Sequence, residues 1–283
     1  MKVSIITATY NSEKHLVDCI QSVRKQTYGN IEHIIVDGKS TDSTLKIIKK
    51  NSKSITRWIS ETDRGIYDAI NKGIKMATGD IIGVLNSDDM LASADVIMDI
   101  VACFDETGTD SLYGDLVYVD PANPQKVMRH WKGLPFKRSR FTYGWMPAHP
   151  TFYIRRNLID QFGGYENHYY SAADYEFMAR YLYRHKISAR YLPKMIVKMR
   201  NGGVSNGNLF RRLRANRRDY LAMKINKIPF AFFASILKPL IKIPQYRSTL
   251  GNKIIKPNKT HKSFFTSVSF FPADTDHHSK VKG

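Results

Sequence analysis

Ile81-Ile82-Gly83-Val84-Leu85-Asn86-Ser87-Asp88-Asp89 is a short apolar run that stops abruptly at two adjacent carboxylates. Bounded by Gly79 before it and polar residues after it, a run of this length reads as a buried strand. Asp88 and Asp89 then stand at its carboxyl end, where open α/β sheets place their ligands. Neighbouring carboxylates repel each other and lose hydration when enclosed, so the pair calls for a cation or a donor-rich ligand. Oxygen ligation of this kind suits Mg²⁺ or Mn²⁺, ions that bridge to phosphates rather than sit in full protein cages. The alternative is a helix cap ahead of the pattern Val96, Ile97, Ile100, Val101.

Upstream, the same strand-then-polar grammar repeats. Val3 to Ile6 leads into Thr7-Ala8-Thr9-Tyr10-Asn11, and a helix follows from Ser12 and Glu13 with Leu16, Ile20 and Val23 on one face. His33 to Val36 ends at Asp37, and a helix carries Leu45, Ile47 and Ile48. Arg57 to Ser60 leads into Glu61-Thr62-Asp63-Arg64-Gly65 and a helix over Ile66 to Met76. Strands alternating with helices predict a mainly parallel central sheet with helices on both faces. Four strand ends then bring Thr9 and Tyr10, Asp37, Asp63, and Asp88 with Asp89 to one rim, which reads as a nucleotide and metal site. No GxGxxG follows the first strand and no P-loop is present, so a dinucleotide-binding reading lacks its phosphate loop.

Composition sets the outer bounds. The 283 residues are 42% hydrophobic, enough for one large or two small cores. Cys19 and Cys103 fall at apolar-periodic positions without metal-ligand spacing and read as reduced core residues. No charged-then-apolar leader opens the chain, and a cytoplasmic setting is expected. Residues 209–283 hold sixteen Lys/Arg against three acidic residues, so most of the net +19 sits there. A basic tail suits a polyanionic surface.

Ser4-Ile5-Ile6-Thr7-Ala8-Thr9-Tyr10-Asn11, Val36-Asp37-Gly38-Lys39-Ser40-Thr41-Asp42, Asp63-Arg64-Gly65-Ile66-Tyr67-Asp68-Ala69-Ile70-Asn71-Lys72-Gly73 and Leu85-Asn86-Ser87-Asp88-Asp89 occur in the order found in family 2 glycosyltransferases. The chain resembles that family over roughly residues 1–205, and its third block resembles the bacterial surface-polysaccharide branch, including colanic-acid-type enzymes. The resemblance implies an α/β GT-A fold, a nucleotide-diphosphate sugar donor, a divalent cation (Mn²⁺ or Mg²⁺) and inversion at the anomeric carbon. It places Thr7, Ala8, Thr9 and Tyr10 around the base and ribose, with Asp37, Asp63, Asn71, Asn86 and Ser87 in the same donor pocket. Asp88 would contact ribose or help hold the metal, and Asp89 would be the main metal ligand. The family's acidic pair begins at Asp37, but Gly38 stands at its second position. A UDP-sugar is the expected donor, with a GDP-sugar as the alternative. Asn86 also replaces the first aspartate of the commoner Asp-x-Asp-Asp form.

The second half is expected to supply the acceptor side. Ser111 to Val119 alternates apolar and polar as a half-buried strand, with Val127 to Trp131 as its hairpin partner across Pro121-Ala122-Asn123-Pro124. Phe136, Phe141, Tyr143 and Trp145 read either as core or as a sugar platform. Ala172-Ala173-Asp174-Tyr175-Glu176-Phe177 resembles the family's Glu-Asp motif, with Ala173 replacing the glutamate. By that resemblance Asp174 is the catalytic base, taking the proton of the acceptor hydroxyl; the alternative is a helix N-terminal charge. His149 reads either as an orienting group or as a packed, hydrogen-bonded histidine. Met199-Arg200-Asn201-Gly202-Gly203-Val204-Ser205 resembles the family's glycine loop, in which Arg200 would cover the diphosphate; a plain surface turn is the alternative.

The expected division is a GT-A catalytic domain over 1–205 (donor half 1–110, acceptor half 111–205), a basic helical extension over 206–255 and a disordered tail over 256–283. The run from Ile228 to Lys242 is too short to span a bilayer, which needs about 20 apolar residues. It fits a segment lying in an anionic membrane surface, or a last helix packed on the domain. The sequence thus predicts an inverting transferase that is peripheral on the inner face of the cell membrane and acts on a lipid-linked saccharide acceptor. A non-catalytic sugar-nucleotide-binding or scaffolding subunit is the alternative. No nucleic-acid-binding module is present, and no nucleic-acid partner is expected.

Overall fold

The first four strands lie side by side and point the same way. The computed structural model of the chain describes residues 1–202 and 209–237. Strands β1 (Val3–Thr9), β2 (Ile31–Asp37), β3 (Arg57–Ser60) and β4 (Ile81–Val84) form parallel ladders in the order β3-β2-β1-β4. Register aligns Thr9 with Asp37 and Asp37 with Ser60, and pairs Ile6 with Val84. The strands therefore end level, and the residues beyond them share one edge.

The alternation of β1 distributes its side chains between two layers. Val3 and Ile5 pack with Cys19 and Val23 of α1 (Leu16–Arg24) and with the buried face of α4 (Val96–Thr107). Ile6 and Ala8 pack on the opposite side with Ala69 and Ile70 of α3 (Ile66–Met76). Leu16 and Ile20 also meet Ile48 of α2 (Thr44–Lys50). Both cysteines are free and buried, as expected. The helix of the 96–107 pattern begins behind Asp95, so Asp88 and Asp89 do not cap it.

Beyond β4 the sheet becomes mixed. It continues through β8 (Tyr153–Arg155), β6 (Ser111–Val119), β9 (Ala189–Arg200) and the two-residue β5 (Met90–Leu91), with β7 (Val127–Trp131) paired to β6. β8 is antiparallel to both β4 and β6, whereas β6 and β9 are parallel. The β6–β7 hairpin forms as expected, but β6 is buried almost throughout rather than on alternate residues, because Tyr113 packs into one core layer and Leu112 and Leu116 into the other. Gly83 lets β8 approach: a Cβ there would lie 2.2 Å from the Tyr153 ring, so no side chain fits without a shift. Phe141 and Trp145 are buried in the core, while Tyr143 is exposed.

Helices α5 (Arg156–Phe162) and α6 (Ala173–Met178), the latter continued by a π-helical stretch over Ala179–Arg184, follow β8. The basic segment forms α7 (Leu209–Ile225) and α8 (Ala231–Leu237). One face of this pair belongs to the domain core, through Ala222, Met223, Ile228 and Ala234. The tail over 256–283 lies outside the described residues.

Two buried ionisable groups tie the first strands together. Glu32 accepts from Ser4 Oγ at 2.7 Å, from the Thr78 N–H at 2.8 Å and from Lys2 Nζ at 3.2 Å. Burial alone would raise its pKa, but these donors outweigh it and hold the carboxyl at about 2. His33 faces Thr7 Oγ1 at 3.1 Å, and burial pushes its pKa down to about 4.

Candidate active site

The rim beyond β1, β2 and β3 is a small corner of three residues, Tyr10, Gly38 and Asp63. Tyr10 leaves β1 into the open and is 61% exposed. Gly38 follows β2, and a Cβ at that position would stand 2.5 Å from Asp63 Oδ2 and 3.4 Å from the Tyr10 ring. The missing side chain at 38 therefore leaves space that the Asp63 carboxylate occupies. Asp63 Oδ1 accepts the Gly65 N–H at 2.8 Å, and Gly65 takes φ 114°, a conformation that favours glycine.

The other expected donor-pocket residues sit behind this corner. The Thr7 side chain is buried against His33, Ala8 lies in the core, and Thr9 Oγ1 is buried with no partner among the described residues. Asp37 is fully buried and braces the loop, accepting from Ser40 Oγ at 2.5 Å and Ser60 Oγ at 2.6 Å. Ser87 Oγ meets Ser12 Oγ at 2.9 Å, which links the turn after β4 to the loop after β1.

The two adjacent carboxylates have different surroundings. Asp89 is fully buried; its Oδ2 accepts from Asn86 Nδ2 at 2.8 Å and its Oδ1 from the Arg200 N–H at 3.2 Å. Burial, and then the charge of Asp88, push its carboxyl well above the ordinary range, while those two donors and the Arg200 guanidinium pull it back. Asp88 is half-buried at the rim, and its backbone carbonyl accepts from Arg200 Nη1 at 2.6 Å. Arg200 does not stand over the rim as a loop residue. It ends β9, is 4% exposed, and its Nη2 reaches Asp18 Oδ2 at 2.5 Å. The glycine-loop residues 203–205 lie outside the described residues. Among the described residues no group of three or more His, Cys, Asp or Glu side chains converges as a metal cage.

Asp174 stands half-buried in the first turn of α6, its Oδ1 accepting the Tyr175 N–H at 2.7 Å. Burial, and then the Asp174 charge, push the nearby Tyr67 phenol well above its ordinary pKa. The Tyr165 ring stacks on Tyr67 at 5.4 Å and on Phe177 at 4.2 Å, and its hydroxyl meets His149 Nε2 at 2.7 Å. Burial pushes His149 below its usual pKa, with Asp174 opposing that shift. Asp174 thus faces two tyrosines and a neutral histidine. Tyr67 belongs to α3, the helix that follows Asp63 and Gly65, so the two expected site regions adjoin through α3. Asn71, expected in the donor pocket, spends both ends of its amide on the Tyr165 backbone.

Sequence reading missed Tyr67, Tyr165 and Asp18. Tyr67 lay within a quoted motif, but its role depends on a partner about a hundred residues away. Asp18 sits on the polar side of a helix and looked like an ordinary surface charge.

A curled α/β sheet with an acidic rim after its parallel strands and a carboxylate at the head of a facing helix defines a glycosyltransferase of the GT-A fold. The family model described as "Glycosyl transferase family 2" matches residues 4–165, and the chain belongs to that family. A PGL/p-HBAD biosynthesis glycosyltransferase of Mycobacterium bovis is 31% identical over 208 residues, covering 72% of this chain and 78% of the relative. Among solved structures, S. aureus TarS 1–349 in complex with UDP superposes with a TM-score of 0.62 at 22% identity, covering 90% of this chain and 76% of that one. The mannosyltransferase PcManGT of Pyrobaculum calidifontis, in complex with GDP-Man and Mn²⁺, gives 0.59 at 17% identity, with 89% and 76% covered. Against a longer TarS chain the protein spans about half the length, 48%.

Proposed function

We propose that this transferase moves a sugar from a UDP-sugar to a saccharide acceptor with inversion, Asp174 acting as the base. The observation that carries the reading is the setting of Asp174: half-buried, bracketed by Tyr67, Tyr165 and His149, and joined by α3 to the corner of Tyr10, Gly38 and Asp63. In one displacement the acceptor oxygen bonds to the anomeric carbon as the carbon–oxygen bond to the diphosphate breaks. The bonding pair leaves with the nucleoside diphosphate, and the acceptor proton passes to a carboxylate oxygen of Asp174. Tyr67 and Tyr165 supply apolar walls that fix the carboxylate and exclude water from it.

Donor selection follows from Asp63. Its Oδ1 is engaged by Gly65, which leaves Oδ2 as an acceptor beside the exposed Tyr10 ring. One free oxygen matches the single imide N–H of uracil better than the paired donors of guanine.

A divalent cation fits the rim chemically. Asp88 is the half-buried carboxylate there, whereas both Asp89 oxygens are already engaged. We therefore give Asp88 the direct role and Asp89 the role of holding the turn, with the donor diphosphate completing the oxygen set. When bound, the ion neutralises charge on the departing diphosphate. By the family resemblance and the basic tail, the acceptor is a lipid-linked saccharide of bacterial surface polysaccharide, met at the inner membrane face.

The test is transfer or donor hydrolysis with a panel of UDP- and GDP-sugars and Mn²⁺. Wild type is expected to release UDP, and Asp174→Asn to lose transfer while still binding UDP. Unimpaired transfer by Asp174→Asn would sink the assignment of the base.

A further inference from the structure

The α7–α8 pair has two faces of opposite character. Its inner face carries Ala222, Met223, Asn226, Ile228, Ala234 and Ser235, all buried. Asn226 Nδ2 donates to Glu176 Oε1 of α6 at 3.4 Å. The outer face exposes Phe230 at 73%, Phe232 at 60% and Phe233 at 63%, with Leu221, Ile225 and Leu237 also exposed. These six fall within seventeen residues, and no other stretch of the described chain gathers so many exposed large apolar side chains. Interspersed with them, Lys224 and Lys227 are exposed. Soluble surfaces rarely keep such a patch uncovered.

The position of the patch matters as much as its composition. α7 packs against α6 and the segment Asn167–Ala172, the residues on either side of Asp174, and the Arg218 guanidinium lies 4.4 Å from the centroid of the Tyr170 ring. α8 packs against Arg138–Tyr143, also on the acceptor side. The pair is therefore part of the wall that carries the catalytic carboxylate.

We propose that Phe230, Phe232, Phe233 and Leu237 insert into the interfacial layer of a bilayer with anionic headgroups, with Lys224 and Lys227 pairing to those headgroups, so that the acceptor side of the site faces the membrane. Charge selects this occupant. Cations set among exposed aromatics match an anionic interface, in which rings lie at the headgroup level and lysine stems reach back to phosphate. They oppose a second copy of the same patch, which would bring like charges together. No described helix is long and apolar enough to cross a membrane, so the contact is lateral. This inference rests on the reading of the acceptor as lipid-linked, and it goes further by assigning the contact to one helical face and fixing which side of the enzyme meets lipid.

The test uses the full chain with vesicles of phosphatidylcholine, with and without phosphatidylglycerol. Wild type is expected to cosediment with the anionic vesicles and to be released by salt. The triple variant F230S/F232S/F233S is expected to lose vesicle affinity at least tenfold, and K224E/K227E to lose anionic selectivity. Both should keep the wild-type melting temperature and UDP-sugar hydrolysis in detergent-free buffer, since the substituted side chains are exposed. Equal binding by wild type and the triple variant, equal binding to neutral and anionic vesicles, or a wild-type dimer that the triple variant dissociates would each overturn the proposal. Vesicle binding by a chain that turns over no sugar nucleotide would uphold the patch and sink the transfer reading instead, so the two failures are distinct.

Discussion

Asn71 and Tyr165, ninety-four residues apart in sequence, exchange two hydrogen bonds: the Asn71 amide donates to the Tyr165 carbonyl at 2.7 Å and accepts its N–H at 2.8 Å. Gly164 makes this possible, because a Cβ there would lie 2.4 Å from Asn71 Oδ1. The clamp joins α3, which follows the donor rim, to the tyrosine that walls Asp174. Asn71→Ala leaves two backbone groups without their partner and should cost about 2 kcal/mol of stability. It should also lower the turnover rate roughly tenfold by loosening the base. Urea unfolding and saturation kinetics on the same sample check both numbers.

The two adjacent carboxylates should separate cleanly. Asp89 accepts one hydrogen bond on each oxygen, and an asparagine can accept on only one. Asp89→Asn should therefore lower stability by roughly 1–3 kcal/mol through an unsatisfied buried group. Asp88→Asn should leave the melting temperature in place and abolish Mn²⁺-dependent turnover, on the order of 100-fold or more. Thermal melts and metal titrations of the two variants decide the division of roles.

At Gly38 a methyl group would press on the end of the Asp63 side chain, 2.5 Å away. Gly38→Ala should weaken UDP binding by about tenfold, roughly 1.4 kcal/mol, while stability changes little because the clash lies at the open rim. Calorimetric titration with UDP is the measurement. Undiminished affinity would remove Asp63 from the base pocket.

Acid stability should fall in two stages. His33 has a folded pKa of about 4 against an ordinary 6.5, so the unfolded chain takes up its proton first and stability declines as pH falls from 6.5 to 4. Glu32 has a folded pKa of about 2 against 4.5, so its contribution is complete above 4.5 and disappears towards pH 2. Each is of the order of 3 kcal/mol, because a tenfold difference in proton affinity between the folded and unfolded chain is worth about 1.4 kcal/mol. Differences in unfolding free energy between wild type and His33→Gln or Glu32→Gln, followed from pH 7 to 2.5, should trace the two stages. They are free of the opposing effect of Asp89, whose raised carboxyl favours the folded chain as pH falls.

The parallel half of the sheet was legible because each of its elements announces itself locally. Residues 81–84 form a strand because an apolar run meets a turn, and α3 spans Ile66 to Met76 as its periodicity predicts. β8, α5, β9 and the π-helical stretch after α6 were not read. β8, α5 and the π-helical stretch are short, and β9 mixes polar and apolar residues along its length. All are ordered against partners distant in sequence, as Tyr153 of β8 is against Gly83. The same limit applies to site roles. A motif names Asp89, Arg200 and Asn71, but only tertiary packing turns Arg200 inward onto Asp18 and commits Asn71 to Tyr165.

The most direct test of a cation-dependent sugar-nucleotide site on this rim is anomalous diffraction from crystals grown with UDP and Mn²⁺. The account predicts one manganese peak within coordination distance of the Asp88 carboxylate and the diphosphate, with the uracil against Tyr10 and Asp63. Manganese and nucleotide bound away from the ends of β1, β2 and β4 would contradict it.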